Sequence, residues 1–92
     1  MRTRTVFAAL ALSAGLVLAQ GNPADDHIYD QVRMKMANDR DVGGNAIDVE
    51  VHGGVVTLKG KVPKSKQKSR AEHIAKKVKG VKSVVNDLVV AP

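Results

Sequence analysis

The stretch HGGVVTLKGKV, residues 52–62, decides the fold, because its glycines fit either a phosphate-binding loop or the turn of a β-hairpin. Apolar and polar residues alternate on both sides of Gly53-Gly54, as they do in strands with one buried face. A two-residue turn at these glycines predicts one register: His52–Val55, Val51–Val56, Val49–Leu58, Ile47–Gly60 and, on the other face, Asp48–Lys59. Apolar residues then share one face and opposite charges meet on the other, which favours a hairpin.

A phosphate-binding loop fits the same residues poorly. Five residues separate Gly54 from Gly60, where the nucleotide-binding motif has four, and Lys61 is followed by Val62 instead of a magnesium-binding Ser or Thr. Such a loop also joins a strand to a helix, whereas these glycines lie between two predicted strands. The stretch therefore predicts a turn without nucleotide chemistry.

The first 19 residues are typical of a secretory signal peptide. Arg2 and Arg4 precede an almost continuous apolar segment, residues 6–19, which ends in Val-Leu-Ala. These 14 residues fall short of the roughly 20 that a membrane-spanning helix needs. We therefore expect cleavage after Ala19, no transmembrane span in the mature chain, and a periplasmic or otherwise exported location. Residues 20–24 are expected to form a linker and residues 25–91 a single domain.

Charge is unevenly distributed along the predicted mature chain. Without Arg2 and Arg4, 13 basic residues stand against nine acidic ones, and ten of the basic residues fall within residues 59–82, where Glu72 is the one acid. A basic half attracts anionic membrane surfaces, nucleic acids or acidic proteins, although the same charge also serves solubility. The chain has no Cys, which excludes disulfides, thiol catalysis and zinc-cysteine sites.

A first helix is predicted from Asp25 to about residue 38. Asp25 and Asp26 supply carboxylates for its N-terminal cap and first turn. An apolar stripe recurs every four residues: Ile28, Val32 and Met36. The following residues, 39–46, have the composition of a loop.

A second helix begins at Ser65 or at Ser69, and the later start makes a capping box with Glu72. It ends near Gly80, a residue typical of helix C-termini. Its predicted buried stripe is Ala71, Ile74, Ala75 and Val78. A last strand spans residues 81–90, and its buried face stays ambiguous because valines occupy both alternating sets of positions. The order predicts an α+β fold, α-β-β-α-β, with two helices on one face of a three-stranded sheet whose strand order is open.

The strings IDVEVHGGVVTLKGKV, residues 47–62, and KSRAEHIAKKVKGVKSVVNDLVV, residues 68–90, resemble the BON domain family (bacterial OsmY and nodulation). They share the glycine turn, the Val-x-Leu-x-Gly-x-Val run at 56–62 and the Gly-Val-x-x-Val-x-Asn-x-Leu run at 80–88. The resemblance covers about residues 25–91. It implies an exported, often periplasmic, protein that binds phospholipid membranes or other envelope proteins, frequently under osmotic or envelope stress. It implies no catalytic motif.

The residues themselves point to no catalytic, cofactor or metal site. His27, His52 and His73 lie on separate elements without a second ligand at helical or strand spacing. The sequence indicates no general base and no oxyanion-stabilising group that would make Ser65 or Ser69 a nucleophile. The predicted domain contains neither a Gly-x-x-Gly loop, which would clamp a nucleic-acid backbone, nor a pair of aromatic residues on which bases could stack. We therefore expect a non-enzymatic chain with no cofactor and no nucleic-acid partner.

Two surfaces are candidates for binding. A membrane-surface module would meet anionic phospholipid headgroups with Met34, flanked by bases on the first helix, and with the basic residues of the second: Lys64, Lys66, Lys68, Arg70, Lys76 and Lys77. A soluble protein-interaction or chaperone-like module would instead use the uncovered sheet face or a free edge strand. The structural turn positions are Gly53, Gly54, Gly60 and Gly80. The lipid or envelope protein bound, the oligomeric state and the inducing stress stay open.

Overall fold

The computed structural model describes residues 22–92, and the predicted signal peptide with its cleavage site lies outside them. Two helices and three strands follow one another in the predicted order. They are α1 (Pro23–Ala37), β1 (Ile47–His52), β2 (Val55–Val62), α2 (Ser65–Lys76) and β3 (Ser83–Val90). The α+β fold class is therefore confirmed.

The hairpin has the predicted register. β1 and β2 are antiparallel, with the Cα pairs His52–Val55, Val51–Val56, Val49–Leu58, Asp48–Lys59 and Ile47–Gly60. Gly53 and Gly54 have φ angles of 58° and 83°, which glycine adopts without steric cost and which a two-residue hairpin turn requires. The ion pair differs from the prediction, because Lys59 Nζ lies 3.2 Å from Glu50 Oε2. Glu50 is one methylene longer than Asp48 and reaches Lys59 diagonally across the strands.

The strand order is β1-β2-β3, with β3 parallel to β2 and pairing from Val55–Ser83 to Val62–Val90. Residues from both helices and from one face of the sheet form a single core. Leu88 of β3 is 1% exposed within it, whereas Val85 and Val89 are 43% and 55% exposed on the other face. The face of β3 that the sequence left ambiguous is thus settled, and the second face of the sheet is open.

Helix α1 begins earlier than predicted, because Asn22 caps it in place of Asp25. Asn22 Oδ1 accepts the Ala24 N–H at 2.9 Å, and Pro23 occupies the first helical position, so the end of the expected linker is helical. The Asp25 carboxylate instead accepts the backbone N–H groups of Gly53 and Gly54 at 2.8 and 3.0 Å. It thereby holds the hairpin tip against α1.

Helix α2 begins at Ser65, the earlier of the two predicted starts, so the capping box of Ser69 with Glu72 is wrong. Lys64 is the N-cap, and its backbone N–H donates to Gln67 Oε1 at 3.0 Å. The helix ends at Lys76 with Lys77 as its C-cap. Gly80 therefore lies in the turn after the helix, and its φ is positive, as it is at Gly53, Gly54 and Gly60. The prediction of a turn at Gly60 is wrong, because this glycine lies within β2, opposite Ile47.

The loop between α1 and β1 is held more firmly than its composition predicts. Asp39 Oδ1 accepts the N–H groups of Asp41 and Val42 at 2.9 and 3.3 Å. The side chain of Val42 is buried in the core, and Gln67 Nε2 of α2 donates to the Asp41 carbonyl at 3.1 Å. The loop is therefore a packed part of the domain that ties α1 to α2.

Candidate functional site: the basic surface of the helix layer

The basic residues of α2 divide into two rows because of the helical period. One row faces α1, where Arg70, His73 and Lys77 line a groove of about 220 Å³ together with Lys35 of α1. Lys66 lies one turn before Arg70 on the same row. We call these five residues the basic helix surface: Lys35, Lys66, Arg70, His73 and Lys77. The structure thus brings cations of both helices to one exposed surface.

The second row of α2 faces β3. The Lys68 carbonyl accepts Asn86 Nδ2 at 2.9 Å, and the same amide donates to Glu72 Oε1 at 3.2 Å. Lys76 Nζ lies 2.8 Å from Glu72 Oε2. Lys76, and then Asn86, hold the pKa of Glu72 below its usual value, against a small opposing effect of burial. Lys76 therefore has part of its charge compensated.

Arg70 has an acidic partner at the edge of the groove. Its Nη2 and Nε lie 2.8 and 2.9 Å from Asp39 Oδ2, and the Asp39 side chain is 9% exposed. The Arg70 hydrogen bond is the main cause that lowers the pKa of Asp39, and the backbone N–H groups of Asp41 and Val42 add to it. Arg70 thus stabilises the α1–β1 loop, and its charge is less available to bind an external anion.

The other predicted cations keep their charge available. Among residues 22–92, the ion pairs recorded for the domain do not involve four of them: Lys64, Lys66, Lys68 and Lys77. Lys77 lines the groove, and Lys66 is exposed one turn before Arg70 on the same side of the helix, whereas Lys64 precedes the helix and Lys68 is half-buried on the row facing β3. Lys66 and Lys77 are therefore the cations best placed to act together.

Met34 is 50% exposed on α1, next to Lys35 in sequence. It contributes an apolar side chain to the outer side of the helix layer without lining the groove between the helices. Sequence reasoning had named Met34 but missed Lys35 and His73 as members of the same surface. The helical period of each segment could have found their faces, but only the packing of α1 beside α2 brings them together.

The open face of the sheet has a different character. Charges of both signs alternate across it, as in the Lys59–Glu50 pair at 3.2 Å. Asp87 of β3 is the Cα partner of Lys59 in the parallel register. Val85 and Val89 supply its exposed apolar area along β3. This face is therefore mixed in charge and partly apolar.

Two further features concern metal binding and membrane spanning in residues 22–92. Within this range no three His, Cys, Asp or Glu side chains come together as a metal site. No helix in the same range has both the length and the apolar character needed to cross a bilayer.

Comparison with known proteins identifies the class. A family model for the BON domain matches residues 24–92, and the chain therefore belongs to the BON domain family, as the resemblance predicted. Among characterised proteins it is similar to Osmotically-inducible protein Y of Escherichia coli (strain K12), with 42% identity over 69 residues. The aligned part is 75% of this chain and 34% of that protein, so the chain spans about a third of the relative's length.

Proposed function

We propose that this chain is an exported, non-enzymatic binding module that associates with phospholipid membrane surfaces in the cell envelope. The supporting observation is the groove in which Lys35, Arg70, His73 and Lys77 converge from two helices, with Asp39 as its acidic member. The similarity to a protein named as osmotically inducible supports a role in osmotic or envelope stress. The contact would be made by the basic helix surface, with Met34 beside it.

The chemistry of this surface favours shallow and reversible contact. A lysine near an anionic bilayer contributes about 1 kcal/mol at most. Arg70 contributes less because Asp39 already neutralises it. The chain has no Trp, and Met34 offers one apolar side chain for insertion. Binding should therefore depend on several lysines at once and should weaken with salt, since exposed charges are screened within about 10 Å at 0.1 M ionic strength.

The test is co-sedimentation of residues 20–92 with liposomes, because this segment contains every described helix, strand and core residue. Anionic vesicles should bind at low salt and release the protein at moderate salt, while zwitterionic vesicles should not bind. A charge-reversed pair on the basic helix surface, Lys66→Glu with Lys77→Glu, should abolish binding. Absence of binding to anionic vesicles at low salt would refute the proposal.

A matched control separates the surface from the net charge. Lys59→Glu with Lys61→Glu changes the total charge by the same amount but lies on the open face of the sheet, where both lysines are exposed. This control should retain most of the binding. Equal losses in the two double variants would show that overall charge, and not the basic helix surface, attracts the membrane.

A soluble protein-interaction or chaperone-like module is the second candidate. The observation that favours it is the exposure of Val85 and Val89, 43% and 55%, along the edge of the sheet. Such a module should slow the aggregation of an unfolded test protein at a salt concentration that abolishes liposome binding. Val85→Lys with Val89→Lys should remove this protection, whereas Lys66→Glu with Lys77→Glu should leave it unchanged.

A further inference from the structure

In the sheet formed by residues 22–92, the outer edge of strand β3 pairs with no other strand. This strand spans Ser83–Val90 and carries one charged residue, Asp87, and no proline. Val85, Val89 and Val90 are 43%, 55% and 37% exposed. Natural sheets usually protect such an edge with charges, proline or a covering element, because unpaired backbone groups attract a further strand.

The hydrogen bonds show which backbone groups face outward. The Ala91 N–H donates to the Val62 carbonyl at 2.9 Å, so it points toward β2. The Leu88 N–H instead donates to the side-chain Oδ1 of Asn86 at 3.2 Å. Backbone groups of successive residues point to alternate edges of a strand. The Lys82 N–H, which donates to the Gly54 carbonyl at 2.8 Å, precedes the strand and lies outside this alternation. Within β3, the Ala91 and Leu88 bonds assign the free edge to the backbone groups of residues 84, 86, 88 and 90.

The sequence of this edge is nearly symmetric about one residue. In VVNDLVV, residues 84–90, Val84 mirrors Val90 and Val85 mirrors Val89 around Asp87. We propose that a second copy of this chain pairs its β3 with this edge, antiparallel and centred on Asp87, to form a continuous six-stranded sheet. In that register the outward backbone groups of residue 84 meet those of residue 90 in the partner, and those of residue 86 meet those of residue 88. The Leu88 N–H would exchange its present acceptor, Asn86 Oδ1, for the backbone carbonyl of the partner's Asn86.

The same register also matches side chains. On the open face, Val85 lies opposite the partner subunit's Val89, and apolar cross-strand pairs stabilise a sheet. A shift by two residues would keep the backbone pairing but would separate these valines. The backbone pattern and the valine pattern therefore select one register, and this self-complementarity favours a second copy over an unrelated strand.

One feature moderates the strength of the pairing. Asp87 would face the partner subunit's Asp87 at the twofold axis, and like charges directly opposite each other are unfavourable. Lys59 is the β2 partner of Asp87 on the same face, so one lysine from each copy flanks the two carboxylates. The pairing is therefore reversible, and removing the Asp87 charge should strengthen it.

The pairing has a consequence for membrane contact, which rests on the proposed function. A twofold axis perpendicular to the sheet places both helix layers on the same side. Two basic helix surfaces would then face one plane, and the second contact would become intramolecular once the first had formed. The pairing itself involves no lipid, so the tests below are made in lipid-free buffer.

Cross-linking tests the register, because the chain has no cysteine of its own. At the axis, Asp87 would form a non-hydrogen-bonded pair with a Cα separation of about 4.5 Å, within the range that a disulfide spans. Under mild oxidation Asp87→Cys should form a covalent dimer rapidly. Met34→Cys, also exposed but on α1, and Ser83→Cys, at the end of the strand, should form it slowly. Equal rates at all three positions would overturn the proposal.

Sedimentation velocity over a range of concentrations tests the association without oxidation. The wild-type chain should show a monomer–dimer equilibrium, and Val89→Lys should weaken it by about 2- to 30-fold because the dimer loses both of its valine pairs. Asp87→Asn should tighten it by about tenfold since the like-charge contact disappears. Met34→Lys, an equal change on α1, should leave it unchanged. A monomer at all concentrations, or open-ended growth beyond a dimer, would contradict the proposed pairing.

Discussion

The outer surface of the helix layer and the open face of the sheet both carry lysines, yet the two surfaces distribute their charge differently. On the open face, Lys59 meets Glu50 at 3.2 Å, so opposite charges compensate one another across the strands. On the helix layer, Lys77 and Lys35 line one groove, and Lys66 continues the same row of α2 one turn before Arg70. The comparison teaches that arrangement, more than the number of lysines, makes one surface a candidate for binding anions.

The largest expected effect on this comparison comes from ionic strength. Because the basic helix surface acts through exposed charges, raising the salt should weaken vesicle binding by about 100-fold between low and moderate concentrations. Sedimentation with anionic liposomes across a salt series measures it. The dimerisation proposed for β3, which uses backbone groups and valines, should change much less over the same series. If vesicle binding and dimerisation weakened equally with salt, the two surfaces would not differ in how they bind.

Removing the Asp39 carboxylate, which compensates the charge of Arg70, should have a smaller effect on vesicle affinity. Asp39→Asn leaves Arg70 without its carboxylate partner, so one more cation becomes available on the basic helix surface. Affinity for anionic vesicles should rise by about fivefold, which corresponds to one additional cation near the bilayer. The measurement is a liposome titration of folded protein, with circular dichroism to verify the fold. Lower affinity in a folded variant would show that the ion pair itself shapes the site.

Stability at acid pH depends on the Asp39–Arg70 ion pair and on the Glu72–Lys76 ion pair. The pKa values of Asp39 and Glu72 are lowered in the folded state, mainly by Arg70 and by Lys76. Carboxylates of this kind stabilise the fold above their unfolded-state pKa, and this contribution is lost as the pH falls through the lower folded-state value. Urea unfolding should therefore show falling stability from about pH 4 downward.

Two variants assign that acid sensitivity to its source. Asp39→Asn removes the titrating carboxyl and Arg70→Gln removes the main cause of its lowered pKa, so each should reduce the slope of unfolding free energy against pH. The reduction should be larger for Asp39→Asn, because the backbone N–H groups of Asp41 and Val42 still lower the pKa of Asp39 in Arg70→Gln. A slope unchanged from that of the wild type in either variant would mean that the pair does not contribute to the acid transition.

The smallest expected effect concerns Met34, which is 50% exposed. Met34→Ser removes an apolar side chain next to Lys35 and should lower vesicle affinity by about two- to threefold, since partial burial of one such chain contributes little. Val85→Ser, on the open face, is the matched control and should leave vesicle affinity unchanged at protein concentrations at which the chain is monomeric, since Val85 also belongs to the proposed β3 pairing. A larger loss for Val85→Ser would move the membrane contact to the sheet.

The fold could be predicted where its determinants are local. The register of the hairpin follows from Gly53-Gly54 and the alternation around it, and β1 and β2 have that register. The face of β3 could not be predicted, because valines occupy both sets of positions. What selects the face is Leu88 in the core, together with Asn86, whose amide donates to the Lys68 carbonyl and to Glu72 of α2.

The site could be predicted only in part for a related reason. The lysines of α2 are visible as a basic helix in the sequence, but their relation to Lys35 and Asp39 depends on how α1 packs beside α2. Asp25 shows the same effect, because its hydrogen-bond partner Gly53 lies 28 residues away and capping offered a local alternative. Long-range partners of short polar side chains are the part that composition and spacing do not reveal.

The central claim is that the basic helix surface, and not the charge of the chain as a whole, contacts the membrane. The most direct test is liposome co-sedimentation of the two charge-matched double variants side by side, at low salt and at a protein concentration at which the chain is monomeric, because Lys59 also flanks the proposed β3 pairing. We predict that Lys66→Glu with Lys77→Glu lowers the affinity for anionic vesicles by about 100-fold, and that Lys59→Glu with Lys61→Glu lowers it by less than about tenfold. Equal losses in the two variants, or a greater loss in the sheet variant, would contradict the claim.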